Sequence, residues 1–141
     1  MKESIGYTVT LNIVIVFIVV IFAFLSAAIV YFKSNKISNV VMNSIEKYEG
    51  YNSLSKSDIS AQMASLGYNK GKINCATDKK CTLKNDGKDG YCVYECDGNK
   101  DYYYYKVRTN MSINIPIIND LLNIPVYSNT NYIYNYEKNL K

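Results

Sequence analysis

The chain has no histidine and no tryptophan, and its 141 residues include only two prolines. Without histidine it lacks the usual general base, the usual partner of a nucleophilic serine or cysteine, and the commonest transition-metal ligand. Most hydrolase and metalloenzyme designs are thereby excluded, and no catalytic constellation stands out elsewhere. We therefore expect a protein that is not an enzyme and carries no cofactor or metal. Arginine is nearly missing as well: fifteen of the sixteen basic residues are lysine, scattered among asparagine and tyrosine. No basic stripe forms, so the net charge of +4 is not the footprint of a nucleic-acid binder.

Charge is also locally absent, and that absence is the most informative feature of the sequence. Ile13 to Phe32 reads IVIVFIVVIFAFLSAAIVYF, twenty residues with Ser26 as the single polar side chain. As a helix the run spans ~30 Å, the thickness of a bilayer hydrocarbon core. It is apolar on every side, and the remaining ~110 residues are too few and too polar to enclose it. The expectation is a transmembrane helix within residues 1–33, with Ile13, Phe17, Val20, Phe24, Ala28 and Phe32 facing lipid. A cleaved secretory signal is the competing reading, with Lys2 as its basic start and Ser26-Ala27-Ala28 as its small-residue site. The apolar run continues past that site to Phe32, which favours an uncleaved anchor.

Lysines flank the run on both sides, Lys2 before it and Lys33 and Lys36 after it, so positive charge alone does not orient it. Cysteine does. Cys75, Cys81, Cys92 and Cys96 form an even set within twenty-two residues of a small polar region, the pattern of a disulfide framework in an oxidising compartment. A zinc site would favour Cys-x2-Cys knuckles, whereas the spacings here are Cys-x5-Cys and Cys-x3-Cys. Residues 34–141 are accordingly expected outside the cell membrane as one single-pass protein's extracellular domain. Of the three possible pairings, the turn-rich Asn85-Asp86-Gly87-Lys88-Asp89-Gly90 favours the nested one, Cys75–Cys96 with Cys81–Cys92.

Beyond the membrane the helical period persists: Ile37, Val40, Val41, Ile45 and Tyr48 recur at three- and four-residue steps. Neither proline nor glycine falls between Tyr7 and Glu49, so the spacing predicts one rod continuing over 34–50 and ended by Gly50. A short helix over 57–67 is signalled by Ser55 with Asp58 three residues on, then Ile59, Met63 and Leu66, closed by Gly67. From about 73 to 137 the pattern is that of strands. Tyr91–Cys96 is β-prone, and from Tyr103 the odd positions read Tyr, Tyr, Val, Thr, Met, Ile, Ile while the even positions from Tyr104 are polar. Asp97-Gly98-Asn99-Lys100-Asp101 resembles the opening of a calcium loop, but Tyr102 and Arg108 stand where Gly and Glu are required, so a hairpin turn is expected. The fold class is α+β: a long N-terminal helix, transmembrane then amphipathic, packed on a small antiparallel sheet and linked by disulfides.

That order of elements resembles the type IV pilins and pseudopilins, in particular the short TadE-like pseudopilins of tight-adherence pili. Glu3, the acidic residue before the apolar run, matches in kind the glutamate of that family, and Ile115-Pro116, Ile124-Pro125-Val126 and Asn129-Thr130 look like the end of its domains. The pattern departs from pilin leaders at Gly6, which follows Glu3 and has Leu11 five residues beyond it, so no peptidase site is legible. The resemblance implies a structural subunit of a surface filament, built as a homo-oligomer or with other pilin subunits, in which Glu3 serves assembly. The alternative is a monomeric membrane-anchored domain that binds a glycan or protein through a tyrosine-rich sheet, with Tyr102 and Tyr104 as its surface residues.

Overall fold

A computed structural model describes residues 2–67, 71–99, 101–114 and 121–135, without the side chains of 2–5, 111–114 and 121–123. The element order is α1 (Lys2–Lys47), α2 (Ser53–Ser65), β1 (Cys81–Asp86), β2 (Tyr91–Asp97), β3 (Tyr102–Asn114), β4 (Leu121–Asn129) and β5 (Ile133–Tyr134). The predicted fold class is the observed one.

At 46 residues α1 is ~70 Å long. Its N-terminal half stands clear of the rest of the molecule and is long and apolar enough to cross a membrane. The C-terminal half lies on the sheet, and its inward stripe is Ser34, Ile37, Ser38, Val41, Ser44 and Ile45, all buried. Val40 and Tyr48, expected in that stripe, are half-buried. The helix ends earlier than expected, because Glu49 rather than Gly50 takes the left-handed conformation, with φ 51°. Glu49 N–H donates to Glu46 O (3.2 Å) and Gly50 N–H to Ile45 O (2.9 Å), the two bonds of a Schellman motif.

The short helix also differs from expectation, spanning 53–65 and not 57–67. Its N-cap is Asn52, whose side chain accepts from Leu54 N–H and Ser55 N–H at 3.0 Å each, while Asn52 N–H donates to Ser55 Oγ (2.9 Å). Ser55 is thus the return arm of a capping box that begins three residues earlier. Asp58, freed from capping, accepts from Ser44 Oγ (2.8 Å) and Gln62 Nε2 (2.9 Å), which ties α2 to α1.

The sheet is antiparallel in the order β1-β2-β3-β4, with β5 pairing the start of β3 at Tyr102↔Tyr134 and Tyr103↔Ile133. One face packs on both helices around Ile37, Val41, Ile45, Ile59, Met63, Tyr91, Val93, Tyr105 and Val107. Burying side chains such as Val41, Ile45, Val93 and Val107 fully contributes about 1.5–3 kcal/mol each. The outer face was expected to be wet, yet Cys92, Tyr94 and Cys96 are buried there, packed with Ile73, Cys75, Cys81 and Tyr104. The chain over 71–80 crosses that face and covers it. Strand placement follows the odd/even pattern through Thr109; Ile115, also in that pattern, and the Ile115-Pro116 element lie outside the described residues.

Candidate functional site

Two surfaces carry the sequence-predicted residues: the apolar half of α1 and the tyrosine-rich start of β3. On α1, Ile13 and Phe17 (64% exposed each), Val20, Phe24 and Phe32 are exposed, and so is Ala28. Spaced three or four residues apart, they lie along one face of the helix, and all are exposed. Glu3 is within α1, but its side chain lies outside the described residues. Among the described side chains of this half, only Ala27 and Val30 are partly covered, and they share a face with Ser34, Ser38 and Val41.

The junction between the exposed half and the domain is made by residues that the sequence reading missed. Ser34 Oγ lies 2.7 Å and Ser38 Oγ 3.3 Å from Thr109 Oγ1, all three buried. Small hydroxyl side chains let β3 approach the helix backbone, and their mutual hydrogen bonds satisfy the polar atoms there. The signal was present in the spacing: Ser34, Ser38 and Ser44 occupy the same helical stripe as Ile37, Val41 and Ile45. A search for apolar residues alone passes over them.

At the far end of β3 the tyrosines mostly face one another. Tyr102 is exposed and meets Tyr134 edge-to-face at 5.4 Å; Tyr104 is half-buried and meets Tyr132 at 5.5 Å. Tyr103 Oη donates to Glu49 O (3.0 Å), and Tyr105 Oη to Glu95 Oε2 (3.0 Å). Burial pushes the Tyr105 hydroxyl well above the ordinary tyrosine range. Below this end, Arg108 stacks on Tyr127 with its guanidinium 5.8 Å from the ring centre. The Asp97–Asp101 segment is the β2–β3 hairpin turn, with Gly98 N–H donating to Tyr102 O (2.9 Å) and Tyr102 N–H to Asn99 O (2.8 Å).

The four cysteines are paired as Cys75–Cys92 and Cys81–Cys96. This corrects the nested expectation. The Asn85–Gly90 turn does fold the flanks back, but the resulting ladder sets Cys81 opposite Cys96 and Asp86 opposite Cys92, with a register shift between Leu83 and Asn85. Cys92 is left for Cys75, which arrives on the crossing segment. That segment is further held by Tyr94 Oη donating to Ala76 O (2.7 Å) and by the Lys106–Asp78 ion pair (2.8 Å). The hydrogen bond from Lys106 keeps the Asp78 carboxyl below its usual range.

A cleft of about 510 Å³ opens between α2 and the β1–β2 hairpin, lined among others by Tyr51, Lys56, Met63, Asn85, Asp86 and Tyr91. Its polar groups engage one another: Asn85 Nδ2 donates to Tyr51 Oη (2.9 Å), Tyr51 and Tyr91 hydroxyls are 3.3 Å apart, and Lys56 lies over the Tyr51 ring. Among the described residues, no group of three or more Cys, Asp or Glu side chains is placed to hold a metal ion. No protein-family model, curated protein or solved structure matches the chain.

Proposed function

We propose that the protein is a membrane-anchored structural subunit of the pilin and pseudopilin kind, TadE-like in its proportions, that assembles through its N-terminal helix. The observation carrying this reading is the continuity of α1: one unbroken helix is apolar and largely exposed from Ile13 to Phe32 and buries one face against the sheet from Ser34 onward. The segment serves equally as a single-pass anchor in lipid and as the core of a helical filament, because its surroundings are apolar in both. Transfer between them is driven by packing rather than by escape from water. The two disulfides support placing the domain on the oxidising, outer side of the membrane. In such a bundle Glu3 neutralises a neighbouring subunit's N-terminal amine, since an unpaired buried carboxylate costs several kcal/mol.

The binding-domain alternative has less support, because Tyr104 is half-buried and both it and Tyr102 are already engaged by Tyr132 and Tyr134. The test is electron microscopy of the purified full-length chain and of the cell surface, with Glu3→Ala in parallel. Filaments with a helical core, lost in Glu3→Ala while that variant still fractionates with membranes, are expected. Dispersed monomers from the unmodified chain, or normal filaments from Glu3→Ala, would overturn respectively the subunit reading and the role of Glu3.

A further inference from the structure

Tyr105, Val107 and Thr109 of β3 point to the helices, so strand alternation sends Tyr104, Lys106, Arg108 and Asn110 to the outer face. Arg108 is the single arginine of the chain, half-buried between its cross-strand neighbours Cys92 of β2 and Tyr127 of β4. Among the described residues its side chain makes no hydrogen bond and no ion pair. Its Nε is buried without a partner, and so is Oδ1 of Asn110, about 7 Å further along the same face. Every N–H of a guanidinium is a donor and the group carries a full charge, so leaving it half out of water with no acceptor is costly.

The one group that Arg108 does meet is the exposed ring of Tyr127, 5.8 Å from the guanidinium carbon. Stacking leaves the donors free, because they lie in the plane of the guanidinium and not above it. Tyr127 also lines a pocket of about 300 Å³ together with Tyr94, Asp78, Lys79, Lys80 and Lys106. Asp78, the one carboxylate among its lining residues, is already taken: it accepts from Lys106 Nζ at 2.8 Å and from Lys80 N–H at 3.1 Å. Four cations thus surround one committed carboxylate on this part of the face. The pocket wall is fixed in advance by the Cys75–Cys92 bridge and by Tyr94 Oη donating to Ala76 O (2.7 Å), so a ligand has little chain to order.

We infer that this face is a binding site for a phosphate group, with Arg108 supplying a planar fork of donors and Lys79, Lys80 and Lys106 the surrounding positive charge. Arginine matches the oxygens of a phosphate two at a time, and lysine adds charge without demanding a direction. A carboxylate has two oxygens and one charge, which a single fork exhausts; a phosphate leaves oxygen and charge for the lysines. The same chemistry is offered by a soluble phosphate and by a phospholipid headgroup. Both have access, since neighbouring Thr109 bonds to Ser34, just beyond the apolar run of α1. The site is independent of filament assembly and belongs to the single subunit.

The test is calorimetric titration of the full chain with inorganic phosphate in maltoside micelles, at constant ionic strength with chloride as the balancing anion. Arg108→Gln, Arg108→Lys and Lys56→Gln are compared, each first shown to retain both disulfides. Lys56 is exposed on α2, away from this face, so its loss changes net charge equally and leaves the site intact. Saturable binding of one phosphate is expected, weakened about tenfold or more by Arg108→Gln. A smaller loss is expected in Arg108→Lys, which keeps the charge without the fork, and none in Lys56→Gln. The inference is overturned if the unmodified chain shows no saturable binding, if Arg108→Gln or Arg108→Lys binds as tightly as the parent, or if Lys56→Gln loses as much as Arg108→Gln. Repeating the titration in phosphatidylcholine nanodiscs separates the sources. Binding of inorganic phosphate that disappears there assigns the site to the lipid headgroup, and binding that persists assigns it to a soluble phosphate; either outcome upholds the site.

Discussion

Cys81 lies directly opposite Cys96 in the β1–β2 ladder, their Cα atoms 4.2 Å apart, and this pairing obliges Cys92 to reach across to Cys75. The two bridges interleave in sequence, so neither closes a loop independent of the other. With separations of 15 and 17 residues, each restricts the unfolded chain by about 3 kcal/mol. Cleavage of the unreduced protein after Lys80, Lys88 and Tyr94 is expected to give one linked product containing Cys75 with Cys92 and another containing Cys81 with Cys96. A product joining Cys81 to Cys92 would refute the ladder register. Reduction should abolish cooperative unfolding of so small a domain.

A second expectation concerns the close approach of α1 and β3 at Ser38, which is fully buried beside Thr109. Ser38→Leu inserts a large side chain where the helix backbone and strand nearly touch and should destabilise the domain by about 2–3 kcal/mol, as overpacking does. Ser38→Ala removes one long hydrogen bond and leaves Ser34 on Thr109, so a loss of about 1 kcal/mol or less is expected. Thermal unfolding of both variants in detergent gives the comparison. Equal losses would mean that the space at this junction is not what the serine provides.

The helix end offers a stabilising change. Glu49 holds a left-handed φ of 51° at the position of a Schellman motif where glycine is most comfortable. Its side chain is exposed, and the contact from Tyr103 goes to its backbone carbonyl, which any residue retains. Glu49→Gly should therefore raise stability by about 0.5–1 kcal/mol. Gly50→Ala should do the opposite, because Gly50 sits at φ 154°. A destabilising Glu49→Gly would show that the carboxylate, not the backbone, matters at this turn.

The long helix, the odd-position face of β3 and the hairpin at Asn85–Gly90 were legible because each is a local pattern: an uncharged run, a period of two, a cluster of turn formers. What was not legible depends on register. A single irregularity between Leu83 and Asn85 decides which cysteines face each other, and no spacing rule contains it. Asn52 caps α2 and Ser55 is the N3 residue of the same capping box, so a motif begun at Ser55 falls three residues late. The serine stripe was hidden for a different reason: Ser34, Ser38 and Ser44 are small and have their hydroxyls bonded to Thr109 and Asp58, so they are buried although a hydrophobicity pattern scores them as surface.

The last expectation follows from the three hydroxyls at the core's edge. Burial raises Tyr51, Tyr91 and Tyr105 above the ordinary value near 10, aided at Tyr91 by its hydrogen bond with Tyr51 and at Tyr105 by the Glu95 carboxylate. A tyrosine whose folded pKa exceeds its unfolded one binds its proton more tightly in the native state. Its contribution is fully present below about pH 10 and is lost as pH rises from there toward the folded value. The domain should thus hold through mildly alkaline pH and unfold cooperatively above it, as these buried phenols are forced to ionise. Absorbance of tyrosinate should show a late, steep phase, from Tyr51, Tyr91 and Tyr105, coinciding with loss of circular dichroism. Tyr91→Phe keeps the ring and removes the most strongly raised group, so its alkaline midpoint should move upward. If all fifteen tyrosines ionise together near pH 10 while the fold persists, the buried hydroxyl cluster is open to water and the packing of α2 against the β1–β2 hairpin is wrong.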